Sequence, residues 1–171
     1  MAGPLDGIRV LDFGRYIAGP WCAAILGDLG ADVIRVERID GGEDRWVAPV
    51  TDDGVGAMFL QVNRNKRCLT LNPLKPEGRE VVARLVAGAD VVVANLPPET
   101  LVQMGLDYDT LRGYRSDIIL TTVNAFGSGG DWSNKIGFDG LAQAASGNQY
   151  LSGPPGQPTR ANVAYVDFST A

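Results

Sequence analysis

The sequence predicts an α/β fold in which a parallel sheet is covered by helices on both faces. Short runs rich in Val, Ile and Leu alternate with stretches whose apolar residues recur at i, i+3, i+4 and i+7. Glycine and proline mark several of their ends, Pro20, Gly30, Gly88 and Gly105 among them. One run, Asp90 to Ala94, is nearly continuous in apolar residues, the signature of a strand buried on both faces. Strands alternating with helices build right-handed βαβ units and a parallel sheet.

Taken in order, Ile8 to Phe13 reads as a first strand closed by Gly14. Cys22, Ile25, Leu26 and Leu29 then form one face of a helix, with Pro20 near its start and Gly30 near its end. Val33 to Val36 is the second strand, and residues 39–57, with four glycines and little periodicity, read as a loop or lid. Cys68 to Leu71 is a short third strand. Pro76-Glu77-Gly78 opens a helix with Val81, Val82, Leu85, Val86 and Ala89 on one face, closed by Gly88. After the fourth strand, Leu101 to Met104 and Tyr108 to Tyr114 are helical pieces separated by Gly105. Ile118 to Val123 is the fifth strand, Gly127 to Gly130 a loop, and Asp139 to Ala145 a helix stopped by Gly147. Val163 to Thr170 reads as a last strand running into a turn, so the chain is expected to be a piece of something longer.

With 171 residues, 45% of them hydrophobic, the chain is the size of one domain with a real core. A net charge of -5 argues against nucleic-acid binding, and no apolar run approaches the ~18 residues that span a membrane. Met1 to Asp6 lacks the features of a secretory signal, and two cysteines, Cys22 and Cys68, make no disulfide framework. These features predict a cytoplasmic chain with reduced thiols. There is no histidine, which removes the commonest general base, any Ser-His or Cys-His pair, and most zinc sites. No metal site is expected, and any chemistry must rest on carboxylates, lysine, tyrosine or bound groups.

Ligands of such sheets bind at the carboxyl ends of the strands. After the first strand, Gly14 to Pro20 leads into a helix N-terminus, which is either an anion site or a tight turn. After the second, Glu37 sits where dinucleotide folds place their ribose-binding acid, but no GxGxxG accompanies it; Arg38 offers a planar cation for phosphate or adenine, or is a solvated surface arginine. Arg35, Arg38, Arg45, Arg64, Lys66 and Arg67 crowd into 33 residues, six of the 15 basic residues, as a ligand with several phosphates would want. Asp167, after Ala164-Tyr165-Val166, is placed either to present a carboxylate at a strand end or to cap the next helix. The residues by themselves therefore predict an α/β domain that binds a phosphorylated ligand.

Leu5 to Asp12 followed by Ala18-Gly19-Pro20 resembles the opening of class III CoA-transferases, the formyl-CoA transferase, carnitine dehydratase or CaiB/BaiF type. Leu29 to Ile34 with Val36-Glu37-Arg38, Asn63 to Arg67, Lys75 to Gly78, Ala89 to Val93 and Met104-Gly105-Leu106 continue the likeness in order. The resemblance implies a Rossmann-like large domain, of which residues 1–171 are the N-terminal part, with the remainder and a smaller domain absent. It implies an interlocked homodimer at full length, acyl-CoA and a carboxylic acid as substrates, and no permanently bound cofactor. Coenzyme A is expected to meet Tyr16, Ile17 and Ala18 in the first loop, Arg38 beside adenine and phosphates, Lys66 and Arg67 at the phosphates, and Asn95 and Leu96 along the pantetheine arm. Asp167 matches the aspartate that forms covalent intermediates, and the isolated chain is expected to be inactive.

Three positions depart from the family pattern: Leu96 stands for a usual aromatic, Gln103 for a frequent arginine, and Phe138 for a tyrosine of some members. The related α-methylacyl-CoA racemases would carry their catalytic histidine in Gly137-Phe138-Asp139, and here that place is Phe138. A dehydratase-like CoA-ester enzyme, a nicotinamide-dependent dehydrogenase and a non-catalytic CoA-binding module compete with CoA transfer as functions for these residues.

Overall fold

The computed structural model describes residues 3–171. Five strands form one parallel sheet in the order β3-β2-β1-β4-β5: β1 (Arg9–Asp12), β2 (Asp32–Glu37), β3 (Lys66–Thr70), β4 (Val91–Ala94) and β5 (Ile119–Thr122). The chain winds outward from β1 through β2 to β3, then returns to β1's other side for β4 and β5. The strand order therefore reverses between β1 and β4, and a crevice opens at the carboxyl ends of those two strands.

Alternation along the central strands explains why they read as unbroken apolar runs. In β1, Val10 packs on one face with Ala23, Ala31, Val33 and Val93, against α1 (Ala18–Asp28). Its neighbour Leu11 enters the larger core on the other face with Val82, Val86, Val92, Leu106 and Leu111. That core lies beneath α3 (Pro76–Ala87), α4 (Pro98–Met104) and α5 (Tyr108–Tyr114). Side chains of period two thus feed two different cores. Helix α3 begins on Pro76 and is capped by Gly88, as predicted. Gly105 ends α4 in the left-handed conformation with φ 69°, where a side chain would be strained. Asp107 caps α5 by accepting the Thr110 N–H.

Two predicted stretches fold differently. The third strand starts at Lys66 rather than Cys68, because pairing with β2 begins at Val33. Residues 39–57 are mostly loop, as predicted, with a 3-10 turn (Glu43–Trp46) pinned by the buried Asp44, and α2 (Ala57–Val62) begins at the loop's end. The end of the chain is a helix, α8 (Tyr165–Thr170), rather than a strand. The valines suggested a strand, but a tertiary contact decides: Asp139, at the start of α6 (Asp139–Ala145), accepts the Val166 N–H at 2.8 Å and so supplies the helix's missing cap. A short helix, α7 (Asn148–Leu151), lies between α6 and that last turn. Among the described residues no helix is long and apolar enough to cross a membrane.

Candidate active site

The crevice is shaped first by the loop that leaves β1. Asp12, fully buried, accepts the Gly14 N–H at 2.7 Å and turns the chain sharply away from the sheet. A Cβ on Gly14 would stand 2.6 Å from Pro20 Cδ and 2.7 Å from Asp12 Oδ1, so only glycine fits. From the end of β4, the Asn95 side chain reaches across. Its Oδ1 accepts the Arg15 N–H at 2.6 Å and its Nδ2 donates to the Arg15 carbonyl at 2.8 Å. That amide clamp fixes the backbone just before Tyr16, whose φ of 57° lies in the left-handed region and costs about 1–3 kcal/mol. The Tyr16 ring meets Phe138 edge to face with centroids 5.5 Å apart.

Truncating Asn95 to Ala leaves the Arg15 N–H and carbonyl without their partner. We expect a loss of about 1–3 kcal/mol in a denaturant titration and a more mobile first loop. An unchanged midpoint would show that the clamp holds nothing.

Around this loop lies a cavity of about 370 Å3, in the size range of small-molecule sites. Its walls include Tyr16, Ala18, Asn95, Leu96, Phe138 and Asp167, so five of the nine predicted site residues converge here. Arg15, Glu43 and Lys135 bring charge to it, with Arg15 donating to Glu43 at 2.8 Å. A neighbouring cavity of about 470 Å3 shares Tyr16, Phe138 and Asp167 and is bounded by Ile17 and Arg160. Asp167 therefore stands between two open spaces at the carboxyl end of the sheet.

Asp167 lies in the first turn of α8 and is half-buried. Burial pushes its carboxyl above the usual carboxylate range, the Asp139 charge adds to the rise, and Arg160 opposes it. Edge-to-face packing of Phe168 on Trp21, with centroids 5.3 Å apart, ties α8 to α1. Reasoning from sequence missed the residues that set this carboxylate in place. Asp139 and Gln143 are both buried and one helical turn apart on α6, and the spacing Asp139-x-x-x-Gln143 was the available signal.

Most basic residues of the expected phosphate cluster pair with carboxylates of this chain. Arg35 is 1% exposed and bonds Asp44 at 2.8 and 3.0 Å. Arg45 forms a fork with Glu37, Arg64 pairs with Asp28, and Arg67 forms a fork with Asp32. Lys66 is enclosed: its Nζ donates to Asp12 at 2.7 Å, the Pro20 carbonyl at 2.6 Å and Asn63 at 2.9 Å. Those three bonds use all its donors, and burial lowers its pKa despite Asp12. Arg67 stands at the amino end of β3, the edge of the sheet opposite Asn95. Lys66 and Arg67, both expected at a phosphate, are matched here to the chain's own Asp12 and Asp32. Arg38 differs. It is half-exposed, pairs with Asp40 and Glu43, and lines a small cleft that joins the main cavity at Arg15 and Glu43.

Glu37 is likewise engaged. It accepts from the Gly42 N–H and from Arg45; burial alone would raise its pKa, but these partners bring it below the usual range. No free carboxylate remains there for a ribose. Among the described residues no three Cys, Asp or Glu side chains group as a metal site would need, and Cys22 and Cys68 are both free.

The family model for CoA-transferase family III matches residues 5–171. The chain is 39% identical over 175 residues to the succinate–glutarate CoA-transferase of Agrobacterium fabrum, covering 98% of this chain and 44% of that protein. It is 40% identical over 170 residues to the succinyl-CoA:glutarate CoA-transferase of Mus musculus, covering 98% of this chain and 39% of that one. A crystal structure of a CAIB/BAIF family protein from Brucella suis superposes with a TM-score of 0.91 at 40% identity, over 98% of this chain and 46% of that chain. The chain thus spans less than half the length of these relatives.

Proposed function

We propose, since this chain belongs to CoA-transferase family III, that the whole protein moves coenzyme A from an acyl-CoA thioester to a carboxylic acid with Asp167 as the covalent nucleophile. The observation that carries this reading is the position of Asp167. Its carboxylate stands on the wall of the switch-point cavity, beside Tyr16, Ala18, Asn95 and Leu96. In this reading the chain is the N-terminal part of a CoA-binding large domain. The remainder of the protein and a second copy complete the site, so the isolated chain is inactive in transfer.

The chemistry needs no proton relay, which suits a chain without histidine. An Asp167 oxygen attacks the thioester carbon, the C–S bond breaks, and CoA leaves as thiolate, giving a mixed anhydride. The thiolate then attacks the Asp167 carbonyl carbon. The anhydride C–O bond breaks, the donor acid departs as carboxylate, and CoA is held as an aspartyl thioester. The acceptor carboxylate attacks that thioester and expels thiolate, and the thiolate takes the new acyl group, regenerating the Asp167 carboxylate. Each step exchanges one electron pair, and the net charge is conserved throughout. Backbone N–H groups of the first loop and of the α1 N-terminus, which carries no side-chain cap, are available to the developing oxyanion. Tyr16, Ile17, Ala18, Asn95 and Leu96 line the pantetheine path, and Arg38 takes the phosphate and adenine end.

Calorimetric titration with CoA, and with NAD as control, tests the reading on both this chain and the full-length protein. CoA binding without NAD binding supports it, and Arg38→Glu should then weaken CoA roughly tenfold, the loss of one charge-assisted contact. NAD binding without CoA, or silence of the full-length protein toward CoA, overturns it.

A further inference from the structure

Asp139 is 3% exposed, and among the described residues its hydrogen-bond partners are all neutral. Its Oδ1 accepts the Val166 N–H at 2.8 Å and the Asp167 N–H at 3.3 Å, while its Oδ2 accepts from Gln143 Nε2 at 2.6 Å. Gln143, fully buried, continues the network: Oε1 accepts the Ala161 N–H at 2.9 Å, and Nε2 also donates to the Val163 carbonyl at 3.3 Å. Two side chains one turn apart on α6 thus bind the backbone at Ala161, Val163, Val166 and Asp167.

A neutral cap would satisfy the same N–H groups at a lower desolvation cost. A carboxylate makes shorter bonds, about twice as strong, so it holds the first turn of α8 more rigidly. α8 is only six residues long and has no cap of its own, so its direction rests on these bonds and on the packing of Phe168 against Trp21. The carboxylate of Asp167 projects from that turn.

We propose that Asp139, braced by Gln143, is a positioning residue that aims the Asp167 carboxylate at the acyl carbon; this rests on Asp167 being the nucleophile. A misplacement of ~1 Å at a reacting group costs on the order of 10²-fold in rate. Asp139→Ala in the full-length protein should therefore lower kcat by about 10- to 100-fold. KM for acyl-CoA and the calorimetric affinity for CoA should stay within about twofold, because Asp139 bonds none of Tyr16, Ala18, Asn95 or Leu96 on the cavity wall.

Asp139→Asn alone sets two N–H donors against each other at Gln143 and should also lose rate. Asp139→Asn with Gln143→Glu restores a donor facing an acceptor between the two side chains and keeps acceptors for Ala161, Val166 and Asp167. The cap becomes neutral and the Val163 carbonyl loses its donor, so the pair should recover part of the kcat lost in Asp139→Asn. This pair carries the test if Asp139→Ala does not fold. A kcat for Asp139→Ala within twofold of the parent overturns the proposal. So does a parallel collapse of kcat and CoA affinity, which marks a general loss of structure, or a double variant no better than Asp139→Asn. Asp167→Ala is run alongside. If that variant retains transfer, the nucleophile reading falls and this proposal with it; if it is dead while Asp139→Ala is fully active, this proposal alone falls.

Discussion

Replacing Asp167 with Ala or Asn in the full-length protein should, on the proposed mechanism, abolish CoA exchange, by roughly 10³-fold or more, the scale on which loss of a covalent nucleophile registers. The fold should survive, because the Asp167 carboxylate makes no hydrogen bond among the described residues; its backbone N–H alone is engaged. Stability should even move the other way. An acid whose pKa is raised in the folded state contributes stability below its unfolded pKa of ~3.9 and loses it as pH rises through the folded pKa. At neutral pH the ionised side chain is therefore a mild burden, which Asp167→Asn removes. The same shift predicts that exchange by the parent falls off on the acid side at a pH above the ordinary aspartate range, since only the carboxylate attacks. Initial rates across pH, with thermal melts of the variants, check both. Retained exchange in Asp167→Ala would leave the cavity as a CoA-binding module with its chemistry elsewhere.

The sheet was legible because its signal is local. Val10, Leu11, Val92 and Val93 are apolar whichever face they serve, and the helix boundaries at Pro76, Gly88 and Gly105 follow from the conformations those residues allow. The grouping of Tyr16, Ala18, Asn95, Leu96 and Asp167 was also reachable, through strand order and family resemblance together. What failed was non-local. α8 reads as a strand until Asp139, 27 residues earlier, is known to cap it. The anchor within the predicted loop 39–57 was hidden for the same reason, since Asp44 pairs with an arginine in β2. The partners of the basic cluster were hidden for a related reason. A count of cations along the chain says nothing of the carboxylates that Asp12, Asp28, Asp32, Glu37 and Asp44 bring to them in space.

Arg35→Leu separates those two meanings of a positive charge. Arg35 is enclosed in β2, donating to Asn63 at 2.8 Å and to both oxygens of Asp44, with Asp12 and Glu37 each at 3.9 Å. Lys66 still answers Asp12 after the substitution, and Arg45 still answers Glu37. Asp44, 1% exposed, keeps only the Asn63 amide at 2.9 Å. Leaving one buried carboxylate without its cation costs about 3–5 kcal/mol. At about 2–4 °C per kcal/mol for a domain of this size, the melting temperature should fall on the order of 10 °C. Arg67→Ala, whose side chain is 66% exposed beside a half-exposed Asp32, should change stability by less than about 1 kcal/mol. The double variant Arg35→Leu with Asp44→Leu should regain much of the loss, since an apolar pair can replace a buried ion pair at little cost. A phosphate-binding cluster would behave in the opposite way: Arg35→Leu and Arg67→Ala would both weaken CoA in calorimetry and leave the melt unchanged. Internal neutralisation instead requires that Arg35→Leu be felt in the melt and Arg67→Ala in neither.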